Sequence, residues 1–95
     1  MYNICVVFNC LPGKRELFVE KVKAEGILDA VLAEDGCHRY DYYFSDKDSC
    51  ELMLLETWET QKHQQIHIEQ PHMARLREFK DEYISSTALY EITVK

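Results

Sequence analysis

The sequence predicts an α+β domain in which helices cover one face of a four-stranded antiparallel sheet. Ninety-five residues are enough for one domain, so residues 1–95 are treated as a single unit. Four segments have the apolar pattern typical of strands, and the segments between them carry apolar residues at helical spacing. Turn signals rich in glycine, proline and aspartate separate these segments. The predicted order is β-α-β-β-α-β, with the second helix broken.

A Pro-Gly turn signal separates the first strand from the first helix. Residues 2–9 form an apolar, β-rich run that ends before Pro12 and Gly13. Over residues 14–34, apolar side chains recur at helical spacing and charged side chains occupy the opposite side. Gly26 lies inside this pattern, where glycine costs about 1 kcal/mol relative to alanine, so we expect the helix to bend or break there.

A β-hairpin follows the helix stop at Asp35-Gly36. Residues 37–45 and 50–58 form its two strands, and the polar residues 46–49 join them. Both strands carry apolar residues on both faces, which predicts a sheet that is covered on both sides. The chain's own helices can cover one face, and we expect a partner subunit to cover the other.

Two short helices and a final strand complete the pattern. Thr60 is a suitable N-cap for a helix over residues 61–69, and Pro71 suits the first turn of a second helix over about residues 71–84. Residues 87–94 alternate between apolar and polar side chains, as a strand does. The whole order matches the split βαβ, ferredoxin-like arrangement, with helices on one face of an antiparallel sheet.

Composition and charge exclude several classes of protein. A net charge of -6 argues against nucleic acid and against a polybasic membrane-binding surface. No segment approaches the length of a membrane span, and the N-terminus lacks the basic start of a signal peptide, so we expect a cytoplasmic protein. The four cysteines show no CxxC pairing, and we expect them to be reduced thiols: Cys5, Cys10, Cys37 and Cys50.

Three histidines within residues 63–72 are the first candidates for chemistry. His63 and His67 are one helical turn apart and could chelate a metal, but no glutamate base and no obvious third ligand accompany them. We therefore expect no metal site, with His63 on the solvated surface. His67 follows a buried strand and could move protons near neutral pH, or could only hydrogen-bond backbone carbonyls. His72, at a helix start, could donate to a substrate oxygen or only to the preceding turn.

A carboxylate and two aromatic residues are the other candidates. Glu56 shares a strand face with apolar residues and so needs a partner or a raised pKa. It could act as a general base, could orient a histidine, or could form a structural salt bridge with Arg39 or Arg75. Trp58 and Tyr40 could wall an aromatic ligand or could simply belong to the core. No phosphate loop, nucleophile elbow or dinucleotide fingerprint is present, so an enzyme without a cofactor fits best.

The segments EDGCHRYDYYFSDKD and LLETWETQKHQQIHIEQPHM resemble the antibiotic biosynthesis monooxygenase (ABM) family. Members carry a Glu-Pro-Gly-Cys-x-x-Tyr-like start of the second strand and a Glu-x-Trp strand end. A histidine nine residues after the tryptophan and a Ser/Thr-Pro-His step complete the pattern. The matching residues in this sequence are Gly36, Cys37, Tyr40, Glu56, Trp58, His67, Pro71 and His72. The LPGK turn at residues 11–14 also resembles the family, and the likeness covers essentially the whole chain.

The resemblance implies a ferredoxin-like subunit that pairs through its sheet into a homodimeric α/β barrel, with a small pocket between sheet and helices. Family activities include cofactor-free oxidation of quinols or polycyclic aromatics, isomerisation of a phosphorylated autoinducer-2 breakdown product, and haem degradation. Two positions depart from the pattern, Asp35 in place of proline and Gln70 in place of serine or threonine. Neither Asn9 nor a histidine falls at the positions of the haem-degrading branch, so we do not expect haem.

Three functions follow from the resemblance and the residues together. The first is a monooxygenase acting on an electron-rich aromatic with dioxygen. In this hypothesis His67 or His72 takes the phenolic proton, Glu56 orients the base, and Trp58 with Tyr40 walls the ring. The second is an isomerase of a small phosphorylated carbonyl compound, which a pocket containing Arg39 or Arg75 would favour. The third is a dimer that binds a small molecule without catalysis, which a pocket filled by side chains would favour.

Overall fold

A single antiparallel sheet with helices on one face makes up the structure. The computed structural model describes residues 1–95. The elements in chain order are β1 (Tyr2–Cys10), α1 (Arg15–Ala24), α2 (Ile27–Leu32), β2 (Cys37–Phe44), β3 (Glu51–Trp58), α3 (Gln61–Ile68), α4 (Pro71–Lys80) and β4 (Ile84–Ile92). The strand order across the sheet is β2-β3-β1-β4, and all pairs are antiparallel. The predicted α+β, ferredoxin-like fold is therefore confirmed, with the sheet open at both edges.

Burial along the two central strands alternates and so defines the two faces of the sheet. Every second residue of β3 is buried, from Leu52 to Trp58, and the same holds for most of β1. These side chains pack with the helices into the core, which includes Phe18, Ile4 and Leu54. We call this side the helix face and the other side the open face. Because the pleat has a period of two, Glu56 lies on the helix face with the core residues of its strand.

The predicted helix breaks are present. Gly26 has φ +73°, a left-handed conformation that glycine adopts without strain, and it separates α1 from α2. The Thr60 hydroxyl accepts a hydrogen bond from the backbone N–H of His63 at 3.3 Å and caps α3. Gln70 has an extended conformation between α3 and α4, and Pro71 occupies the start of α4. The helical region after β3 is therefore two helices with different directions.

The last helix is shorter than predicted, and the last strand begins earlier. Helix α4 ends at Lys80 instead of about residue 84, because tight turns close onto Phe79 and Lys80. The chain then enters the sheet, where the Leu11 N–H donates to the carbonyl of Tyr83. Strand β4 begins at Ile84, three residues before the predicted start, and its ladder with β1 shifts register beside Cys10. Pairing with β1 thus extends the strand over polar residues that show no apolar alternation.

The open face carries apolar side chains that no element of the chain covers. Tyr43, Tyr90 and Ile92 are 42%, 57% and 38% exposed, and strand registers place them on the open face with Met53 and Leu55. Thus only one of the two sheet faces is covered within a single chain. Separately, none of the helices has the length and apolar content needed to cross a membrane.

Candidate functional site

A cavity of about 230 Å³ lies between the helix face of the sheet and helices α3 and α4. Its wall is mainly aliphatic and aromatic, and includes Val6, Phe8, Phe18, Leu54, Leu76 and Leu89. The volume is below the roughly 300–1,000 Å³ usual for ligand pockets, so a small ligand with an apolar body fits it.

The inner end of the cavity is polar although it is shielded from solvent. Glu56, Gln64, His67 and Tyr40 all line it, and they are 6%, 8%, 2% and 4% exposed. Strand β3 contributes the carboxyl group and α3 contributes the imidazole, one on each side of the sheet–helix interface. A buried acid and a buried base at the closed end of an apolar cavity make this end the candidate site for proton transfer.

A carboxylate behind the cavity holds the ring of His67. Nδ1 of His67 lies 2.7 Å from Oε2 of Glu34, and Nε2 of His72 lies 2.8 Å from the same oxygen. A carboxylate oxygen only accepts hydrogen bonds, so each of these ring nitrogens carries a proton and donates it. The other nitrogen of neutral His67, Nε2, is then unprotonated and lies on the side of Glu56, 4.0 Å from its Oε1. Glu34 therefore fixes the tautomer in which His67 presents a proton acceptor toward Glu56.

Glu34, His67 and His72 form the one cluster in which enough potential ligand atoms lie close together to consider a metal ion. The two ring nitrogens and the Glu34 carboxylate oxygen lie within 4.8 Å of one another. Imidazole and carboxylate groups suit a divalent transition metal. However, atoms that share a tetrahedral zinc at about 2.0–2.2 Å would be separated by about 3.3 Å. The observed separations of 2.7 and 2.8 Å from nitrogen to oxygen are those of hydrogen bonds to a charged acceptor.

Burial shifts the pKa values of Glu56 and His67 in opposite directions. Desolvation raises the pKa of Glu56 from its ordinary value of 4.5 to about 7, although the Trp58 indole N–H, which donates to Oε1 at 2.9 Å, lowers it. Desolvation lowers the pKa of His67, and the hydrogen bond to Glu34 opposes this effect. His67 is therefore neutral at pH 7, and Glu56 is near its midpoint. Oε1 of this buried acid and Nε2 of this buried base are 4.0 Å apart, so the pair could hold or move a proton.

Three of the predicted site residues line the cavity, and two lie directly behind it. His67, Glu56 and Tyr40 are cavity residues. Trp58 is fully buried and does not line the cavity; it contacts Glu56, and its ring centroid lies 4.6 Å from that of His67. His72 reaches Glu34 and not the cavity, so it acts on the site through that carboxylate.

The two predicted cationic anchors lie elsewhere. Arg39 pairs with Asp41 at 3.6 Å, and its register partner is Thr57, so it lies on the opposite sheet face from Glu56. Arg75 pairs with Glu25 and Glu78 on the surface of the helices. Neither arginine forms the salt bridge with Glu56 that the sequence left open, and neither lines the cavity.

Several residues of the site, including Glu34, Gln64, Arg77 and Lys80, were not predicted from the sequence. Glu34 was treated only as the end of a helix, although it occupies the first position of the family's Glu-Pro-Gly-Cys-like segment, and that was the available signal. Arg77 and Lys80 line the cavity from α4. Their spacing of three residues places them on one helix side, but only the packing of α4 shows that this side faces the cavity.

The remaining histidines take surface roles. Nδ1 of His63 lies 2.7 Å from the Thr60 hydroxyl oxygen, and its Nε2 lies 3.3 Å from Asp35. His38 pairs with Glu59 on the surface. His63 and His67, one helical turn apart, therefore have different hydrogen-bond partners.

A second, larger depression of about 530 Å³ runs along β2 at the sheet edge, beside α1. Tyr43 and Phe44 line it with Lys23 and Asp41, and no histidine is present. This depression lacks a paired acid and base, so we assign the chemistry to the smaller cavity.

The chain belongs to the antibiotic biosynthesis monooxygenase family, whose sequence profile matches residues 1–78. No protein of curated function matches the sequence. Among solved structures, a Pseudomonas aeruginosa protein is 18% identical, with a TM-score of 0.85 over 99% of this chain and 93% of its own. A Mycobacterium tuberculosis protein is 24% identical, with a TM-score of 0.83 over 99% and 94%. A crystal structure of an antibiotic biosynthesis monooxygenase is 16% identical, with a TM-score of 0.84 over 100% and 99%. At these identities the structures establish a shared fold.

Proposed function

We propose that the protein is a monooxygenase that uses no cofactor and oxidises a quinol-like or polycyclic aromatic substrate with dioxygen. The observation that carries the proposal is the position of His67 Nε2, which lies 4.0 Å from Glu56 Oε1 at the closed end of an apolar cavity. Membership of the family adds support, because the family includes monooxygenases. The cavity volume of about 230 Å³ favours small substrates with one or two rings.

In the proposed first step, His67 Nε2 accepts the phenolic proton while the Glu56 carboxyl positions the substrate oxygen. The resulting phenolate is electron-rich and can transfer an electron to dioxygen without a metal or a flavin. For a hydroquinone, one oxygen atom enters the ring as a hydroxyquinone, and the other leaves as water. The substrate supplies all four electrons, so the overall step balances without a further reductant.

Oxygen uptake with a panel of quinols tests this proposal. We expect His67→Ala to reduce kcat by about 10²–10⁴-fold, because the variant loses the general base. His38→Ala is the matched control, since His38 is an exposed histidine that pairs with Glu59 away from the cavity. Labelled dioxygen should place one heavy oxygen in the product. Absent uptake, or uptake that His67→Ala leaves unchanged, would rule out the mechanism.

A second candidate is the isomerase, and the short distance of 4.0 Å between Glu56 Oε1 and His67 Nε2 favours it. Burial raises the pKa of one group and lowers the pKa of the other, so a proton can shuttle between adjacent carbons of a carbonyl compound. Solvent deuterium would then enter the product without oxygen consumption. Ligand binding with neither oxygen uptake nor deuterium exchange would support the third hypothesis, binding alone.

We further propose that two chains pair through their open faces into a homodimer. Tyr43, Tyr90 and Ile92 are exposed there, and an apolar sheet face of this kind is stable when a second layer covers it. Sedimentation equilibrium should give twice the chain mass, and Tyr90→Glu should shift it toward the monomer. Leu17→Glu, at an exposed leucine on α1, is the control and should leave the dimer intact.

A further inference from the structure

We propose that the ligand of the cavity carries an anionic group, a carboxylate or a phosphate, which Arg77 and Lys80 bind at the cavity mouth. The inference rests on the proposed function for the orientation of the substrate, with its reactive hydroxyl at His67. It adds the chemical class of the ligand and two residues that select it.

The exposure of the lining residues shows where the cavity opens. The polar residues at the inner end are nearly solvent-free, whereas Ile68 and Leu89 are 45% and 56% exposed. Arg77 and Thr87 are also exposed, on α4 and β4 respectively. The mouth therefore lies between α4 and β4, and Arg77 stands at it.

Arg77 differs from the other arginines of the chain. Arg15, Arg39 and Arg75 each have a carboxylate partner within 4.0 Å, and Arg77 has none. Its Nη1 donates to the carbonyl of Ile68 at 3.1 Å, which holds the guanidinium in place. The remaining N–H groups of a guanidinium form a planar fork that matches a carboxylate or phosphate.

Lys80 adds a second positive charge on the same side of α4. Its Nζ lies 5.5 Å from the ring centroid of Phe8, another cavity residue, and no carboxylate pairs with it. Glu56 is the only acidic residue among those lining the cavity, and it lies at the inner end. The chain has 17 acidic and 11 basic residues, yet no carboxylate pairs with these two cations of the cavity lining, and a ligand can neutralise them.

The chemistry at the two ends of the cavity determines which groups the ligand carries and where they lie. An anionic group at the mouth and a hydroxyl at the inner end lie at opposite ends of a small apolar body. A single ring with the two groups across from each other suits the volume of about 230 Å³. Neutral rings of the same shape would leave Arg77 without a charged partner.

Calorimetric titration of the full chain with unreactive probes tests the inference without turnover. Phenylacetate and its neutral isostere phenylacetamide differ only in the charged group, and phenyl phosphate tests the alternative anion. We expect at least one anion to bind at least about tenfold more tightly than phenylacetamide. The tighter of the two anions identifies which group the site prefers. Equal affinity for all three probes, or no binding of either anion, would overturn the inference.

Charge-neutralising variants assign the effect to the two residues. We expect Arg77→Gln and Lys80→Gln each to reduce the preference for the anion by about tenfold while affinity for phenylacetamide stays the same. Lys62→Gln removes one positive charge from an exposed position on α3 and should change the preference less than about twofold. A preference that survives both cavity variants would overturn the assignment. An anion preference without oxygen uptake would leave the inference standing and would reject the monooxygenase.

Discussion

Nδ1 of His67 donates a hydrogen bond to Glu34, and the two atoms are 2.7 Å apart. Glu34 follows α2, and His67 lies on α3, so the bond joins segments 33 residues apart in the chain. It leaves the second ring nitrogen free on the side of Glu56 and the cavity. We therefore propose that Glu34 is a positioning residue: it does not line the cavity, but its hydrogen bond determines which nitrogen of His67 faces Glu56.

Without Glu34, the ring of His67 should no longer be restricted to one neutral tautomer. We expect Glu34→Ala to populate both neutral tautomers, which nitrogen-15 NMR of the imidazole distinguishes. We also expect kcat to fall by about 10–100-fold with KM nearly unchanged, because the base is misoriented in part of the molecules. Glu59→Ala, which removes the carboxylate that pairs with the surface His38, is the matched control. A single unchanged tautomer in Glu34→Ala would contradict the assigned role.

The raised pKa of Glu56 makes stability depend on pH in a defined direction. The folded state binds the carboxyl proton up to about pH 7 and the unfolded state only up to about 4.5, so stability falls as pH rises between them. A side chain at position 56 that cannot ionise removes this pH-dependent loss of stability. Glu56→Gln should therefore gain about 3 kcal/mol relative to wild type between pH 4 and pH 8. Urea unfolding at both pH values measures the difference, and a constant difference would contradict the raised pKa.

The indole of Trp58 should stabilise the charged form of Glu56. Trp58→Phe keeps an aromatic ring but removes the N–H that donates at 2.9 Å, so the pKa of Glu56 should rise further. We expect a loss of about 1–3 kcal/mol that is larger at pH 8 than at pH 5. Thermal unfolding at the two pH values tests this expectation. An equal loss at both would mean that the variant only disturbs packing.

Two glycines offer a matched test of backbone strain against steric contact. Gly13 and Gly36 have φ +75° and +79°, so alanine at either position is strained to a similar extent. A methyl group at Gly13 meets nothing within 4 Å, whereas at Gly36 it would lie 2.6 Å from Cγ of His63. Gly13→Ala should cost about 1–2 kcal/mol and Gly36→Ala about 1–3 kcal/mol more. Denaturant melts give both values, and equal costs would show that His63 moves freely.

The sequence predicted the fold because the elements that form the core carry clear periodicity. The alternation in β3 and the helix breaks at Gly26 and Pro71 can be read from neighbouring residues in the sequence, and the structure has all three features. The start of β4 was missed because Ser85 and Ser86 join the sheet through pairing with β1, which local sequence does not show.

The sequence predicted only those site residues whose position on a single strand or helix already indicated that they are buried. Glu56 and His67 each stand out on their own strand or helix, and both line the cavity. Glu34 and Arg77 do not, because their importance depends on how separate segments pack around α3. The predicted arginine anchors had the required charge, but Arg39 lies on the opposite sheet face and Arg75 on the surface of the helices, so neither lines the cavity.

The extended backbone at Gln70 has a consequence for the two histidines that share Glu34. On one continuous helix, His67 and His72 would point about 140° apart, and a single oxygen atom could not accept from both. The change of direction before Pro71 turns the second ring back toward the first. A substitution that fused α3 and α4 into one straight helix would thus separate the two rings even if every side chain of the site were kept.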